Sequence, residues 1–83
     1  MKTKEAVIER LYELCEQQNI KPNALSNRAG VPQATLKSIL NPKESLNPGI
    51  VTIKKLCDGF EKRVTLADFF NTEAFRNLEQ EIE

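Results

Sequence analysis

Apolar residues stand at positions 7, 8, 11, 14 and 15, with acids between them. Spacings of three and four predict an amphipathic helix over residues 4–18, about four turns long. Asn19 and Ile20 leave it, and Pro22 suits the first position of a second helix, where its missing N–H would be unpaired anyway. That helix is predicted from Pro22 to Ala29, with Ala24, Leu25 and Ala29 inward. Gly30 ends it, because glycine accepts the left-handed conformation beyond a helix end. Val31 is held extended by Pro32, and Pro32 in turn opens a third helix to Leu40, burying Leu36 and Ile39 with Leu40 at its edge.

Two short helices joined by a turn that contains Gly30 have the form of a helix-turn-helix. Beyond them, residues 41–49 hold two asparagines and two prolines with Ser45 and Gly49, and read as the longest loop. A fourth helix is predicted from Ile50 to Glu61, with Ile50, Ile53, Leu56, Cys57 and Phe60 on one face. Thr65 is placed to cap a short helix from Leu66 to Phe70. Thr72 opens a last one from Glu73 to Ile82, with Phe75, Leu78 and Ile82 at spacings of three and four. No strand pattern and no internal repeat is visible. The expectation is an all-α chain of five or six helices.

Length and charge narrow the function. Eighty-three residues fit one small domain and leave no room for a second. No apolar run approaches the roughly 20 residues of a membrane span. The start, Met1-Lys2-Thr3-Lys4-Glu5, lacks the apolar stretch of a secretory signal, which predicts a cytoplasmic protein. Histidine is absent, so the commonest general base is missing, and no phosphate-cradling glycine loop exists. An enzyme is therefore not expected, and neither is a cofactor. Cys15 and Cys57 are far apart and outside any metal-ligand spacing, so no metal is expected and both read as small buried hydrophobes.

The net charge of zero hides a segregation. Residues 1–19 carry three bases and four acids, a net of −1. Residues 20–63 carry eight bases (Lys21, Arg28, Lys37, Lys43, Lys54, Lys55, Lys62, Arg63) and three acids, a net of +5. Residues 64–83 carry one base and five acids, a net of −4. The middle of the chain can face a polyanion and its ends cannot.

Leu25, Gly30, Val31, Leu36 and Ile39 stand where the phage Cro and lambda-repressor-like (Xre-type) helix-turn-helix family places its signature. The resemblance extends through Leu11 and Leu14, through Asn47-Pro48 and residues 50–59, and through residues 65–70, covering about residues 6–70. It implies a compact five-helix DNA-binding domain over residues 1–71, with its motif at about 22–41, and a bacterial or phage transcription regulator, most simply a repressor. Residues 72–83 would then be an acidic amphipathic helix beyond that domain. In such a motif the second helix presents its side chains to the major groove. With Leu36 and Ile39 inward, Gln33, Ala34, Lys37 and Ser38 turn outward as base readers. Gln33 suits adenine, Lys37 suits guanine or a phosphate, and Ala34 suits a thymine methyl. Asn23, Thr35, Asn41 and Lys43 are the expected phosphate contacts.

Three departures from the family pattern stand out. Proline occupies position 22, where many members carry a glutamine that grips a phosphate. Cys15 and Leu40 replace an arginine–glutamate pair that many members form between the first and third helices. Glu61-Lys62-Arg63 makes the link to the fifth helix about two residues longer. Family regulators bind palindromic operators as dimers, and Phe70, Phe75, Leu78 and Ile82 are the candidate dimer contacts. The same residues are equally suited to closing the monomer core. The rival to double-stranded DNA is a protein partner, as in an antitoxin or adaptor that uses the same fold.

Overall fold

The computed structural model describes residues 3–44 and 48–78. Six helices follow one another: α1 (Thr3–Gln17), α2 (Pro22–Ala29), α3 (Gln33–Leu40), α4 (Ile50–Gly59), α5 (Leu66–Phe70) and α6 (Glu73–Leu78). Among the described residues there is no strand, so the all-α expectation holds. The predicted continuation of the last helix to Ile82 lies outside the described residues.

α1 and α2 end by the same device. At the end of α1, Asn19 takes a left-handed φ of 53°. The Ile20 N–H then donates to the Cys15 carbonyl at 2.9 Å, and the Asn19 N–H to the Glu16 carbonyl at 3.2 Å. At the end of α2, Gly30 has φ 70° and donates to the Ser26 carbonyl, which also accepts from the Val31 N–H at 3.0 Å. These bonds satisfy carbonyls that the helix leaves without partners, and the apolar residue that follows tucks inward. Val31 is buried, and Ile20 packs against the core.

The core draws on every helix. α1 contributes Ala6, Val7, Leu11, Leu14 and Cys15; α2 and the turn after it, Leu25 and Val31; α3, Leu36 and Ile39; α4, Ile53, Leu56 and Cys57. Phe60, Val64, Phe69 and Phe75 complete it. α2 packs chiefly on α4, and the approach is close. A Cβ built on Gly59 would lie 2.7 Å from the Cβ of Ala29.

Several inward positions differ from those predicted. Ala24 is exposed, and Ser26 is buried in its place. A helix of eight residues buries a single stripe, and α4 lies on the Ser26 flank rather than the Ala24 flank. The Ser26 hydroxyl donates to the Asn23 carbonyl at 2.7 Å, which removes the cost of burying it. Ile50 is 57% exposed rather than inward, because the first turn of α4 stands beyond the core cluster. α4 stops at Gly59, two residues short of the predicted end, and Phe60 is buried from an extended residue. Pro32 precedes α3 as its cap rather than opening it.

The long link after α4 is tied down by the side chain of the residue that follows α1. Gln18 donates to the Lys62 carbonyl at 2.7 Å and accepts from the Lys62 N–H at 3.1 Å. Past it, the Thr65 hydroxyl accepts from the Asp68 N–H at 3.0 Å, the cap expected from the sequence. Arg10 then closes the other end of α5, donating to the carbonyls of Phe69 at 2.9 Å and Asp68 at 2.8 Å. Phe69, Phe70 and Phe75 meet edge to face or tilted, with ring centroids 4.9–6.0 Å apart.

Candidate nucleic-acid interface

α3 turns on Leu36 and Ile39. With these buried, Gln33, Ala34 and Lys37 are exposed, as expected, whereas Thr35 and Ser38 are half-buried. The helical repeat explains the division. Gln33, Lys37 and Asn41 recur every four residues and form a stripe along one flank, while Thr35 and Ser38 sit three apart on the other. Ala34 lies between the two.

A groove of about 690 Å³ runs beside the first flank. Gln33, Ala34, Lys37 and Asn41 line it from α3 and its end, Pro22 and Asn23 from the start of α2, and Tyr12 from α1, with Leu36 and Leu40 at its base. The structure thus brings together three of the four expected base readers and two of the four expected phosphate contacts. Ser38, Thr35 and Lys43 lie outside this groove.

The amides in the groove are partly committed. The Gln33 side-chain N–H donates to the Asn27 side-chain oxygen at 3.5 Å, which leaves a second N–H and the carbonyl oxygen for another partner. The Asn41 side-chain oxygen accepts from the Lys43 N–H at 3.0 Å, fixing the turn and leaving its NH₂ free to donate. Pro22 contributes no donor to the groove wall, so Asn23 carries that role for the start of α2. Cys15 is buried and Leu40 packs against the core, so apolar packing occupies the region where an ion pair is common in related proteins. Such a replacement is often neutral or stabilising.

All eight cationic residues between positions 20 and 63 are exposed. Two of them are engaged: Lys54 donates to both oxygens of Asp58 at 2.6 and 2.7 Å, and Arg63 lies 3.6 Å from the same carboxylate. The hydrogen bond from Lys54 holds the Asp58 carboxyl below the usual range, and the nearby positive charges add to it. Lys37 is the cation of the groove itself.

Sequence reasoning missed Tyr12, since α1 read only as an outer amphipathic helix. The signal was a single large apolar residue on its otherwise acidic exposed side. Reasoning from sequence also gave no role to Arg10 or Gln18, whose partners lie 44 to 59 residues away. Of the candidate dimer contacts, Phe75 is buried in the core at 9% exposure and Phe70 is half-buried against it. Ile82 and the side chain of Leu78 lie outside the described residues. Cys15 and Cys57 are both buried and unpaired, as expected. Among the described residues no helix is long and apolar enough to cross a membrane.

Comparison with known families finds that the Cro/C1-type HTH DNA-binding domain matches residues 10–74, from the middle of α1 into α6. No curated protein and no solved structure matches the chain.

Proposed function

Given that the chain belongs to the Cro/C1-type helix-turn-helix DNA-binding family, we propose that it is a bacterial or phage regulator, most simply a repressor, that inserts α3 into the major groove. The observation that carries this reading is the flank of exposed Gln33 and Lys37, continued by half-buried Asn41, along one groove that Asn23 also lines. Gln33 pairs with an adenine through its free N–H and its oxygen, and Lys37 reaches a guanine or a phosphate. Ala34 and Ser38 complete the base-facing arc. Asn23, Asn41, Thr35 and Lys43 hold the backbone on either side.

One subunit covers little DNA, so binding as a dimer to a palindrome follows, with half-sites about 34 Å apart. Phe75 is committed to the core, so a partner copy would draw on half-buried Phe70, on Leu78 and Ile82, and on the exposed pair Ile50 and Val51. No cofactor enters this reading, and the site of action is the cytoplasm.

Selection of random duplexes by the purified protein tests the proposal. A palindrome should be enriched, and its affinity should fall about a thousandfold between 50 and 200 mM salt if some six phosphates are neutralised. Gln33→Ala should relax the preference at one base position by about 1–3 kcal/mol. Lys37→Ala should reduce the salt slope by about one if Lys37 meets a phosphate. Absence of any enriched duplex at low salt would sink the groove reading and leave a protein partner as the alternative.

A further inference from the structure

We propose that Tyr12 is a further DNA-contacting residue, its phenolic O–H donating to one backbone phosphate at the α1 wall of the groove. The proposal rests on the reading that α3 enters the major groove, and it adds a residue from a helix outside the helix-turn-helix.

Tyr12 is half exposed, at 50%, although it is one of the largest side chains of the chain. It lines the same groove as Asn23, Gln33, Lys37 and Asn41, facing them from α1. Its hydroxyl has no hydrogen-bond partner among the described residues. Pro22, Leu36 and Leu40 line the groove with it, so its ring has apolar company there while its polar tip is unspent. An amphipathic side chain placed in this way keeps its polar end at the surface.

Charge makes a neutral donor the fitting group here. On α1 the exposed neighbours of Tyr12 are Glu9 three residues before it, Glu13 directly after it and Glu16 four residues after it. These carboxylates repel a phosphate, and a helix with that face cannot approach the backbone by charge. A phenolic O–H is a donor that needs no positive charge. With α3 in the major groove, the α1 wall faces the strand that borders it. Backbone phosphates border the groove on either side and are the acceptors that a residue of a flanking helix meets.

Fluorescence titration of the selected duplex with the wild type, Tyr12→Phe, Gln33→Ala and Lys37→Ala tests the assignment. Tyr12→Phe keeps the ring and should leave the thermal midpoint unchanged. It should weaken binding roughly tenfold on selected and altered sequences alike, as expected for one hydrogen bond to a charged acceptor. Its salt slope should equal that of the wild type, since no cation is lost. A single methylphosphonate should weaken the wild type at one linkage and have no effect there on Tyr12→Phe. Unchanged affinity of Tyr12→Phe beside weakened Gln33→Ala and Lys37→Ala overturns the role of Tyr12 and leaves the α3 reading standing. A loss that no single linkage reproduces also overturns it. If the wild type binds no duplex, the α3 reading falls and Tyr12 falls with it.

Discussion

Gly59 and Gly30 are glycines for different reasons. At Gly59 an added Cβ meets Ala29 at 2.7–2.9 Å, backbone atoms included, so α2 and α4 would have to separate. At Gly30 nothing lies within 4 Å, and only the left-handed φ of 70° resists a side chain. Gly59→Ala should therefore cost about 2 kcal/mol or more through overpacking, and Gly30→Ala about 1 kcal/mol through backbone strain. Urea midpoints compare the two. Pairing Gly59→Ala with Ala29→Gly should recover part of the loss, whereas no partner change rescues Gly30→Ala.

The cysteines make a second residue-scale prediction. Burial pushes both thiols up, and at Cys57 the adjacent Asp58 carboxylate adds to the effect. Folding thus favours the neutral thiols. Their contribution to stability is complete below the ordinary thiol value of about 8.5 and is lost as pH rises through that value toward the raised ones. Stability measured by urea should decline above about pH 8.5, and Cys57→Ala should flatten that decline even though its neutral-pH stability is lower. A disulfide-exchange reagent should modify neither thiol in the native protein and both after unfolding. Rapid native labelling would contradict their burial.

At the scale of elements, α5 is a single turn and a half that could not persist alone. Three groups hold it: the Thr65 cap, the Arg10 guanidinium on its final carbonyls, and Phe69, which is fully buried. A cation at a helix C-terminus is favoured by the dipole as well as by the hydrogen bonds. Arg10→Met should cost about 2 kcal/mol, and Thr65→Ala about 1 kcal/mol. Both should accelerate amide exchange in α5 before they affect α3. Gln18→Ala releases Lys62 from both of its bonds and should loosen the link between α4 and α5 in the same assay. If exchange instead rises uniformly across the molecule, α5 is not a separate unit.

The elements also mark where reading the sequence succeeded. Gly30, Pro22 and Thr65 are local signals: each acts on backbone within a few residues, and each does in the structure what its chemistry predicts. Ala24 and Ile50 misled because a periodic stripe states that one face is buried without stating how far the neighbouring helices extend over it. Gln33, Ala34 and Lys37 were legible as outward residues once Leu36 and Ile39 were taken as core. Ser38 was placed with them, and Thr35 among the phosphate contacts beside them, because nothing in α3 alone distinguishes its two flanks.

Across the whole molecule, the charges separate as their order along the chain suggests. The cations of residues 20–63 are all exposed, and the described acids of α1 and α6 lie on other elements. A radius of gyration of 12.1 Å is close to the roughly 12 Å of a compact domain of this length. Lys37 is the cation that lines the groove, and two copies would have to meet without covering it. Ile50 and Val51, 57% and 65% exposed, begin the helix that follows the long loop and are the most exposed large apolar side chains described. Replacing both by lysine should leave the monomer's stability within about 0.5 kcal/mol of the wild type. Cooperative binding to the full palindrome should be lost while half-site affinity stays. Sedimentation on the duplex reads this directly, and unchanged stoichiometry would move the dimer contact to Phe70 or to residues 78–83.

By itself the sequence determined the helical class, the order of the helices and the helix-turn-helix with Gln33, Ala34 and Lys37 outward. These depend on spacing, caps and turn chemistry that act over a few residues. The tertiary structure decided which flank of α3 borders a groove, that Tyr12 belongs to it, and that Arg10 and Gln18 hold α5 and its link. It also decided that Phe75 serves the core. Such assignments require residues distant along the chain to meet, and their positions are set only when the helices pack.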